Sequence, residues 1–105
     1  MLRKWRRKRG KLFVTVSKYG HILLSRELTR ICNKWGNWID IYYDDNHKVL
    51  LLKFHNVRNE DSFKATYRKD GGLRTFAKGI EQKFRGRSKH VEVHEDRQEI
   101  YATFE

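Results

Sequence analysis

The sequence contains no proline, a single cysteine and no long apolar run, and each absence narrows the class of protein. Without proline there is no rigid linker and no proline-rich ligand segment to divide the chain. The single thiol, Cys32, cannot form a disulfide within the chain, which fits a reducing compartment. No stretch approaches the roughly 18 apolar residues of a membrane span, and no apolar segment follows the basic start as in a signal peptide. The sequence therefore predicts a cytoplasmic protein without a membrane anchor.

Acidic residues are also scarce, with 13 Asp and Glu against 24 Lys and Arg and a net charge of +11. Residues 1–11 carry seven basic residues and no acid, residues 12–54 six against four, and residues 55–105 eleven against nine. Most of the excess therefore lies in the first eleven residues. Such a balance predicts a polyanionic partner, nucleic acid first and an anionic membrane surface second.

With 105 residues the chain is long enough for one domain, but each half is too small to bury a core alone. Hydrophobic residues make up 38%, and aromatic side chains, at 13%, supply much of the core volume. The two halves, or two chains, must therefore share a core. We predict a flexible basic arm over residues 1–11 and a single domain over residues 12–105.

Residues 12–54 predict the order strand, turn, strand, helix, strand, turn, strand. The β-branched run 12–16 and a turn ending at Gly20 lead into a second strand. Ser25 is a suitable N-cap for a helix that Gly36 is expected to end. The helix has one apolar stripe at i, i+3, i+4 and i+7, formed by Leu28, Ile31, Cys32 and Trp35. Four consecutive apolar residues in 48–54 predict a central strand.

A similar order follows in residues 62–104, displaced by 50 to 52 positions. Strands are predicted over 63–67, 73–75, 89–94 and 99–104, with a turn at 69–72. A second helix, capped by Thr75 and closed by Gly86, has apolar residues at Phe76, Ile80 and Phe84. The predicted fold class is α+β: two pseudo-repeated ββαββ units, 12–54 and 62–104, forming one mostly antiparallel β-rich domain or barrel with two helices.

Residues 20–30 read GHILLSRELTR and are followed by IDIY at 39–42 and DDNH at 44–47. Their order and spacing resemble the DNA-binding domain of the AbrB/SpoVT/MazE family. The resemblance implies a barrel of swapped hairpins, with basic residues of the turn and helix start facing DNA. By position, Arg30 matches the second arginine of the family's helix start, and His21 follows the turn glycine where an arginine often stands. Thr29 and Ser25 replace the family's other arginine and its proline.

Two such units in one chain would look like the tandem MraZ members of that family. The second half also resembles, more loosely, the C-terminal double-wing domain of MotA-type phage transcription factors, at residues 72–76 and 81–84. That domain too is a DNA-binding one, which contacts DNA with strands and loops.

The predicted nucleic-acid-binding residues are almost all basic, because arginine binds phosphates and guanine edges bidentately and lysine supplies a point charge. Trp5 is included because an indole stacks on bases. The arm supplies Arg3, Lys4, Trp5, Arg6, Arg7, Lys8, Arg9 and Lys11; the first turn and helix start supply Lys18, His21, Arg26 and Arg30; the second half supplies Lys69, Arg74, Lys83, Arg85, Arg87 and Lys89. The alternative is that these side chains are merely solvated.

No catalytic residues, cofactor or metal are predicted. His90 and His94 are i, i+4 on a predicted strand, where that spacing separates them by about 13 Å. Asp40, Asp44 and Asp45 lie near Glu60 and Asp61 in the sequence, as the acids of a nuclease site could, but acids at turns usually bond their own backbone. We also find no phosphate-binding glycine loop and no nucleophile–base pairing.

The sequence thus predicts a non-enzymatic DNA-binding protein, a transcriptional regulator of bacterial or phage type. Duplex DNA is the favoured ligand, and a monomer is favoured over a homodimer. One alternative is a mobile-element protein that inhibits a host nucleic-acid enzyme, as anti-restriction or anti-CRISPR proteins do, through a host protein partner. Another is an RNA or single-strand binder. A toxin antidote is disfavoured because those proteins carry an acidic disordered tail.

Overall fold

A computed structural model describes residues 1–3 and 11–104. Within them it contains ten strands, one α-helix and one 3-10 helix. In chain order these are β1 (Val14–Val16), β2 (His21–Leu24), α1 (Arg26–Cys32), β3 (Trp38–Asp44), β4 (Val49–His55), β5 (Phe63–Lys64), β6 (Thr66–Tyr67), β7 (Leu73–Phe76), the 3-10 helix (Ile80–Gln82), β8 (Gly86–Arg87), β9 (His90–His94) and β10 (Glu99–Thr103).

The strands form two five-stranded antiparallel sheets. The first sheet has the order β6-β7-β2-β1-β8, and the second has the order β5-β3-β4-β10-β9. The hairpin β1-β2 joins the hairpin β6-β7 through β2 and β7, whereas β3-β4 joins β9-β10 through β4 and β10. Each sheet therefore contains one hairpin from the first half of the chain and one from the second half. The prediction of a β-rich, mostly antiparallel α+β fold is confirmed, as is the central position of β4.

Alternating side chains from both sheets fill one core. The buried set includes Val14, Val16, Ile22, Leu24 and Leu73 of the first sheet and Ile39, Leu50, Leu52, Ile100 and Ala102 of the second. Two aromatic contacts join the elements around it. The Trp35 and Phe54 rings lie 5.6 Å apart, centroid to centroid, and Phe84 and Phe104 lie 5.4 Å apart. Because the residues come from both halves, neither half buries this core alone.

Helix α1 begins as predicted and ends earlier than predicted. Ser25 is the N-cap, and its side chain accepts a hydrogen bond from the Leu28 backbone N–H. The helix ends at Cys32 with Asn33 as its C-cap, so Gly36 does not close it. Gly36 instead has a φ of 125° and lies directly against the backbone carbonyl of His55. The glycine is required by this close approach rather than by the helix end.

The predicted second α-helix is wrong. Residues 73–76 form β7, which pairs with β2, so the expected cap Thr75 is an inward-facing strand residue. Gly79 has a φ of 98°, and only Ile80–Gln82 form a single 3-10 turn after it. Gly86 begins β8 rather than closing a helix. The exposed backbone of β2 offers 73–76 a ladder of hydrogen bonds, and that pairing outweighs a helical pattern interrupted by glycine.

The predicted strand over residues 63–67 is divided between the two sheets. β5 pairs with β3 in the second sheet, and β6 pairs with β7 in the first. Ala65, between them, is buried, and its backbone N–H donates to the Asn37 carbonyl at 2.8 Å. The chain therefore crosses from one sheet to the other at this alanine.

Cys32 will report on unfolding through its reactivity. Its side chain is fully buried, and loss of solvation raises the pKa of the thiol to about 12. Since the thiolate is the reactive species, we expect alkylation of the native protein at pH 8 to be at least about 100-fold slower than in 6 M guanidinium. Mass spectrometry after timed iodoacetamide pulses measures both rates. Equal rates would mean that the core around α1 opens freely.

Candidate nucleic-acid interface

The fold separates charge between the two sheets. The segments that build the first sheet and α1 carry five basic residues and one acid in 11–36, and eight basic residues and two acids in 66–89. The two long hairpins of the second sheet carry two basic residues and three acids in 38–55, and one basic residue and four acids in 90–103. The first sheet is thus the strongly basic side of the domain, and the second is weakly acidic.

Strand register places two arginines in one row across the outer face of the first sheet. Arg74 pairs with Leu23, Leu23 pairs with Thr15, and Thr15 pairs with Arg87. Their neighbours along the strands, including Val14, Val16 and Thr75, point into the core. Three strand spacings separate the two arginines, so their backbones lie about 14 Å apart.

A groove next to this row lies between the start of α1 and the turn at residues 68–71. Arg26 spans it, and its Nε donates to the Asp70 carbonyl at 3.0 Å. A depression of 320 Å³ on one side is lined by Thr15, Leu23, Arg26 and Arg68. One of 460 Å³ on the other side is lined by Arg26, Arg30, Lys69 and Tyr67. We call the exposed set Arg26, Arg30, Arg68, Lys69, Arg74 and Arg87 the basic face.

The internal ion pairs of the basic face are weak. Arg30 lies 3.4 Å from Glu27 and Arg68 lies 3.6 Å from Asp70, and all four side chains are between 32% and 62% exposed. Pairs of this kind contribute about 0–1 kcal/mol and are readily exchanged for another anion. Among the described residues, no acid lies within ion-pair distance of Lys69 or Arg74. The basic face is therefore available to a polyanion.

Asp70 is the acid that opposes anion binding at this groove. Its Oδ1 accepts the backbone N–H of Gly72 at 2.9 Å, which holds the turn. Asp70→Asn keeps that acceptor and removes the charge. At about 7 Å from a bound phosphate in water, one charge contributes about 0.6 kcal/mol. We therefore expect DNA affinity to rise about threefold at low salt, as measured by fluorescence anisotropy. Asp96→Asn, on the β9–β10 turn, is the matched control and should change affinity far less.

Lys18 and His21 lie at the opposite end of the first sheet. Lys18 is exposed in the β1–β2 turn, with its Nζ 5.1 Å from the centroid of the Tyr19 ring. His21 projects from the outer face against Phe76, with ring centroids 4.9 Å apart. Both residues therefore border the same surface as Arg74, but not the groove at α1.

The basic residues from Lys83 to Lys89 do not act as one cluster. Lys83 donates to Asp45 at 2.9 Å, and this partner raises the pKa of the lysine. Its Nζ also lies 5.0 Å from the Tyr43 ring, so it faces the second sheet. Arg85 donates to the Glu81 carbonyl, and Arg87 lies 4.0 Å above the Phe13 ring. Lys89 is exposed directly before β9, and its backbone N–H donates to the Thr103 carbonyl. Of this run, Arg87 alone belongs to the basic face.

The predicted arm is described only at its two ends, where Arg3 and Lys11 are exposed. The other predicted arm residues, Lys4, Trp5, Arg6, Arg7, Lys8 and Arg9, lie outside the residues that the structure describes.

Asp40, His55 and Ser62 meet at one end of the second sheet but do not form a nucleophilic triad. His55 Nε2 lies 3.1 Å from Asp40 Oδ1 and 3.4 Å from Ser62 Oγ, so a single ring nitrogen faces both groups. A triad requires the acid and the nucleophile on opposite ring nitrogens. Partial burial opposes ionisation of Asp40, but hydrogen bonds from His55, Ser62 and Asn59 outweigh it and lower the pKa of the carboxyl. The cluster fastens the loop after β4 to β3.

Three residues on the outer side of the first sheet, Arg68, Phe76 and Lys78, were not predicted as site residues. Arg68 directly precedes Lys69 in the turn, and the Arg-Lys pair could have been noticed in the sequence. Phe76 was assigned to the core face of the predicted helix, yet its side chain is 50% exposed on the outer face of the first sheet. The alternation of Leu73, Arg74, Thr75 and Phe76 has the period of a strand and would have placed it outside.

Comparison of the chain with protein-family models, with curated proteins and with solved structures finds no match. Among the described residues α1 is the longest helix, with seven residues, and no helix has the length and apolar composition that a membrane span requires. Nor does any group of three histidine, cysteine or acidic residues there lie close enough together to hold a metal ion.

Proposed function

We propose that this chain is a non-enzymatic nucleic-acid-binding protein: a cytoplasmic DNA-binding regulator of bacterial or phage type, bound through the basic face. The observation that carries the proposal is the separation of charge between the sheets. Basic residues from positions 26 to 87 converge on one face, whereas most acids of the described residues lie in the second sheet and its turns. A polyanion is the partner that such a surface attracts most strongly.

We propose further that the chain is a tandem pair of AbrB-like units with swapped hairpins. Reciprocal hydrogen bonds support this. The Phe54 backbone N–H donates to the Gln98 carbonyl at 3.0 Å, and the Phe104 backbone N–H donates to the Lys48 carbonyl at 2.7 Å. Lys48 and Gln98 are also the two non-glycine residues with positive φ in the described chain, at 53° and 56°. Phe54 and Phe104 are 50 positions apart, and so are Lys48 and Gln98, as expected if the two units are related by a two-fold axis.

The hairpin turns of the first sheet support the same relation. Gly20 donates to the Ser17 carbonyl at 3.2 Å, and Gly71 donates to the Arg68 carbonyl at 3.1 Å, 51 positions later. In the AbrB-like resemblance these turns and the helix start face DNA. The second unit has a 3-10 turn where the first has α1, so the two copies differ most at that element. Because the two units complete each other's sheets, we propose a monomer.

A salt titration of DNA binding tests the proposal. If the basic face and the arm neutralise about six to ten phosphates, affinity should fall about 10³–10⁵-fold between 50 and 200 mM salt. Fluorescence anisotropy with a labelled 20-nucleotide DNA, single-stranded and as duplex, gives the slope. An affinity that is indifferent to salt, or absent at 50 mM salt for both forms, would remove the proposed function.

A further inference from the structure

Phe76 is a large, half-exposed apolar side chain at the end of the first sheet that lies away from the groove at α1. It lies at the end of β7, which is an interior strand of the first sheet, and its side chain is 50% exposed. His21 lies directly opposite Phe76 on β2. The centroids of the two rings are 4.9 Å apart, and the ring planes are inclined at 50°. The two rings form one aromatic patch that the fold holds in place through paired backbone strands.

The His21 ring brings a buried polar nitrogen to this patch. Its Nδ1 is buried without a hydrogen-bond partner in the described structure, and its backbone N–H donates to Ser17 Oγ at 3.1 Å. A buried polar nitrogen without a partner is unfavourable for folding alone. Holding the imidazole against Phe76 therefore has a cost that a role in ligand contact would explain.

Basic residues flank the patch on both sides. Arg74 precedes Phe76 by two positions on the same face, about 7 Å along the strand. Exposed Lys78 follows by two positions, and the Ala77 backbone N–H donates to the Gly20 carbonyl at 2.9 Å, which brings the β1–β2 turn with Lys18 alongside. An aromatic platform between cations is the arrangement that binds bases by stacking and phosphates by charge.

Base stacking decides between duplex and single-stranded ligands. In a regular duplex both faces of each base are covered by the neighbouring base pairs, so a protein side chain meets only the base edges in a groove. An unpaired base of a single strand leaves one face open to an aromatic ring. A single strand can therefore place a base on Phe76 and its phosphates against the flanking basic residues.

We propose that Phe76, held by His21, is a stacking platform for an unpaired base, so that the ligand of this face is single-stranded DNA. The phosphates on either side of that base lie against Arg74 and against Lys78 with Lys18. This inference rests on the proposed function and names the form of nucleic acid, and it differs from the duplex that the sequence favours.

Anisotropy titrations with a labelled 20-nucleotide mixed-sequence strand and with its duplex, both at 0.1 M salt, test the platform. The wild-type protein should bind the single strand more tightly. Phe76→Leu, which keeps an apolar side chain but removes the ring, should weaken single-strand binding about fivefold to hundredfold and duplex binding less than twofold. Phe76→Tyr, which keeps an aromatic ring, should bind the single strand about as tightly as the wild type. Tyr42→Leu, at a residue of the second sheet that is 53% exposed, is the control and should change neither.

The outcomes separate the two proposals. Binding of both forms with no effect of Phe76→Leu, or a preference of the wild type for duplex, would overturn the platform and leave the proposed function in place. Absence of binding to either form would overturn both. Circular dichroism of each variant establishes whether the fold is retained. If Phe76→Leu is unfolded, two comparisons decide: Phe76→Tyr against the wild type, and the affinity of the wild type for the single strand against its affinity for the duplex.

Discussion

Neutralising Lys69 and Arg74 together, as Lys69→Gln and Arg74→Gln, will lower the affinity for DNA by about 25-fold to a hundredfold at 0.1 M salt. For each phosphate contact, affinity varies with salt concentration to roughly the −0.9 power for duplex and the −0.7 power for a single strand, which makes one contact worth about fivefold to tenfold at this concentration. The two residues lie on neighbouring elements of the basic face, in the 68–71 turn and on β7. Neither is held by an acid in the described structure, so their charges are free to bind phosphate.

A matched control removes two positive charges from segments that flank β4, away from the basic face. Lys48→Gln with Arg58→Gln also lowers the net charge by two, and glutamine already occupies a backbone like that of Lys48 at Gln98, with φ of 56° against 53°. Arg58 lies over the Trp38 ring beyond β4. The control should weaken binding less than about fivefold, as expected for a long-range effect in 0.1 M salt. Equal losses in the two double variants would show that net charge, not the basic face, governs binding.

A second large effect is expected from Gly36→Ala, which should leave the domain largely unfolded at 37 °C. A Cβ at this position would lie 2.2 Å from the His55 carbonyl oxygen and 2.4 Å from its carbon, both backbone atoms of β4. The φ of 125° adds strain for any L-residue. Together these should lower the free energy of unfolding by about 4 kcal/mol, a large part of the total for a domain of this size.

Gly79→Ala is the control for backbone strain alone. Its φ is 98°, but a Cβ there would meet no atom within 4 Å, so the change should cost about 1–2 kcal/mol. Urea unfolding followed by tryptophan fluorescence compares the two, since Trp35 is buried against Phe54. If both variants lose equal stability, the contact between residue 36 and β4 does not contribute as described.

The hairpins could be predicted from sequence because their signals are local. Alternating apolar residues and polar turn residues predicted β4, β9 and β10 within a residue or two of their observed bounds, and the Ser25 cap is confirmed. The second helix could not be predicted correctly by the same reasoning. Phe76, Ile80 and Phe84 have helical spacing, but pairing of β7 with β2 joins residues about 50 positions apart, and no local pattern reports such a contact.

The candidate interface was predicted in its residue type and only partly in its location. Charge counted by halves of the chain appears nearly balanced outside the arm, because each half contributes one basic hairpin and one acidic hairpin. Counting by hairpin would have separated them. The ion pair of Lys83 with Asp45, which withdraws one predicted residue from the site, depends on the packing of the two sheets and has no signal in the sequence.

The central claim is that nucleic acid binds the first sheet and not the second, and a map of backbone amide shifts during a DNA titration tests it most directly. Two-dimensional ¹⁵N–¹H spectra should show the largest changes in β2, β7, the start of α1 and the turn at 68–71, with β9 and the outer part of β3 unchanged. Changes that concentrate on β3, β9 and β10 instead, or that spread evenly over both sheets, would contradict the account.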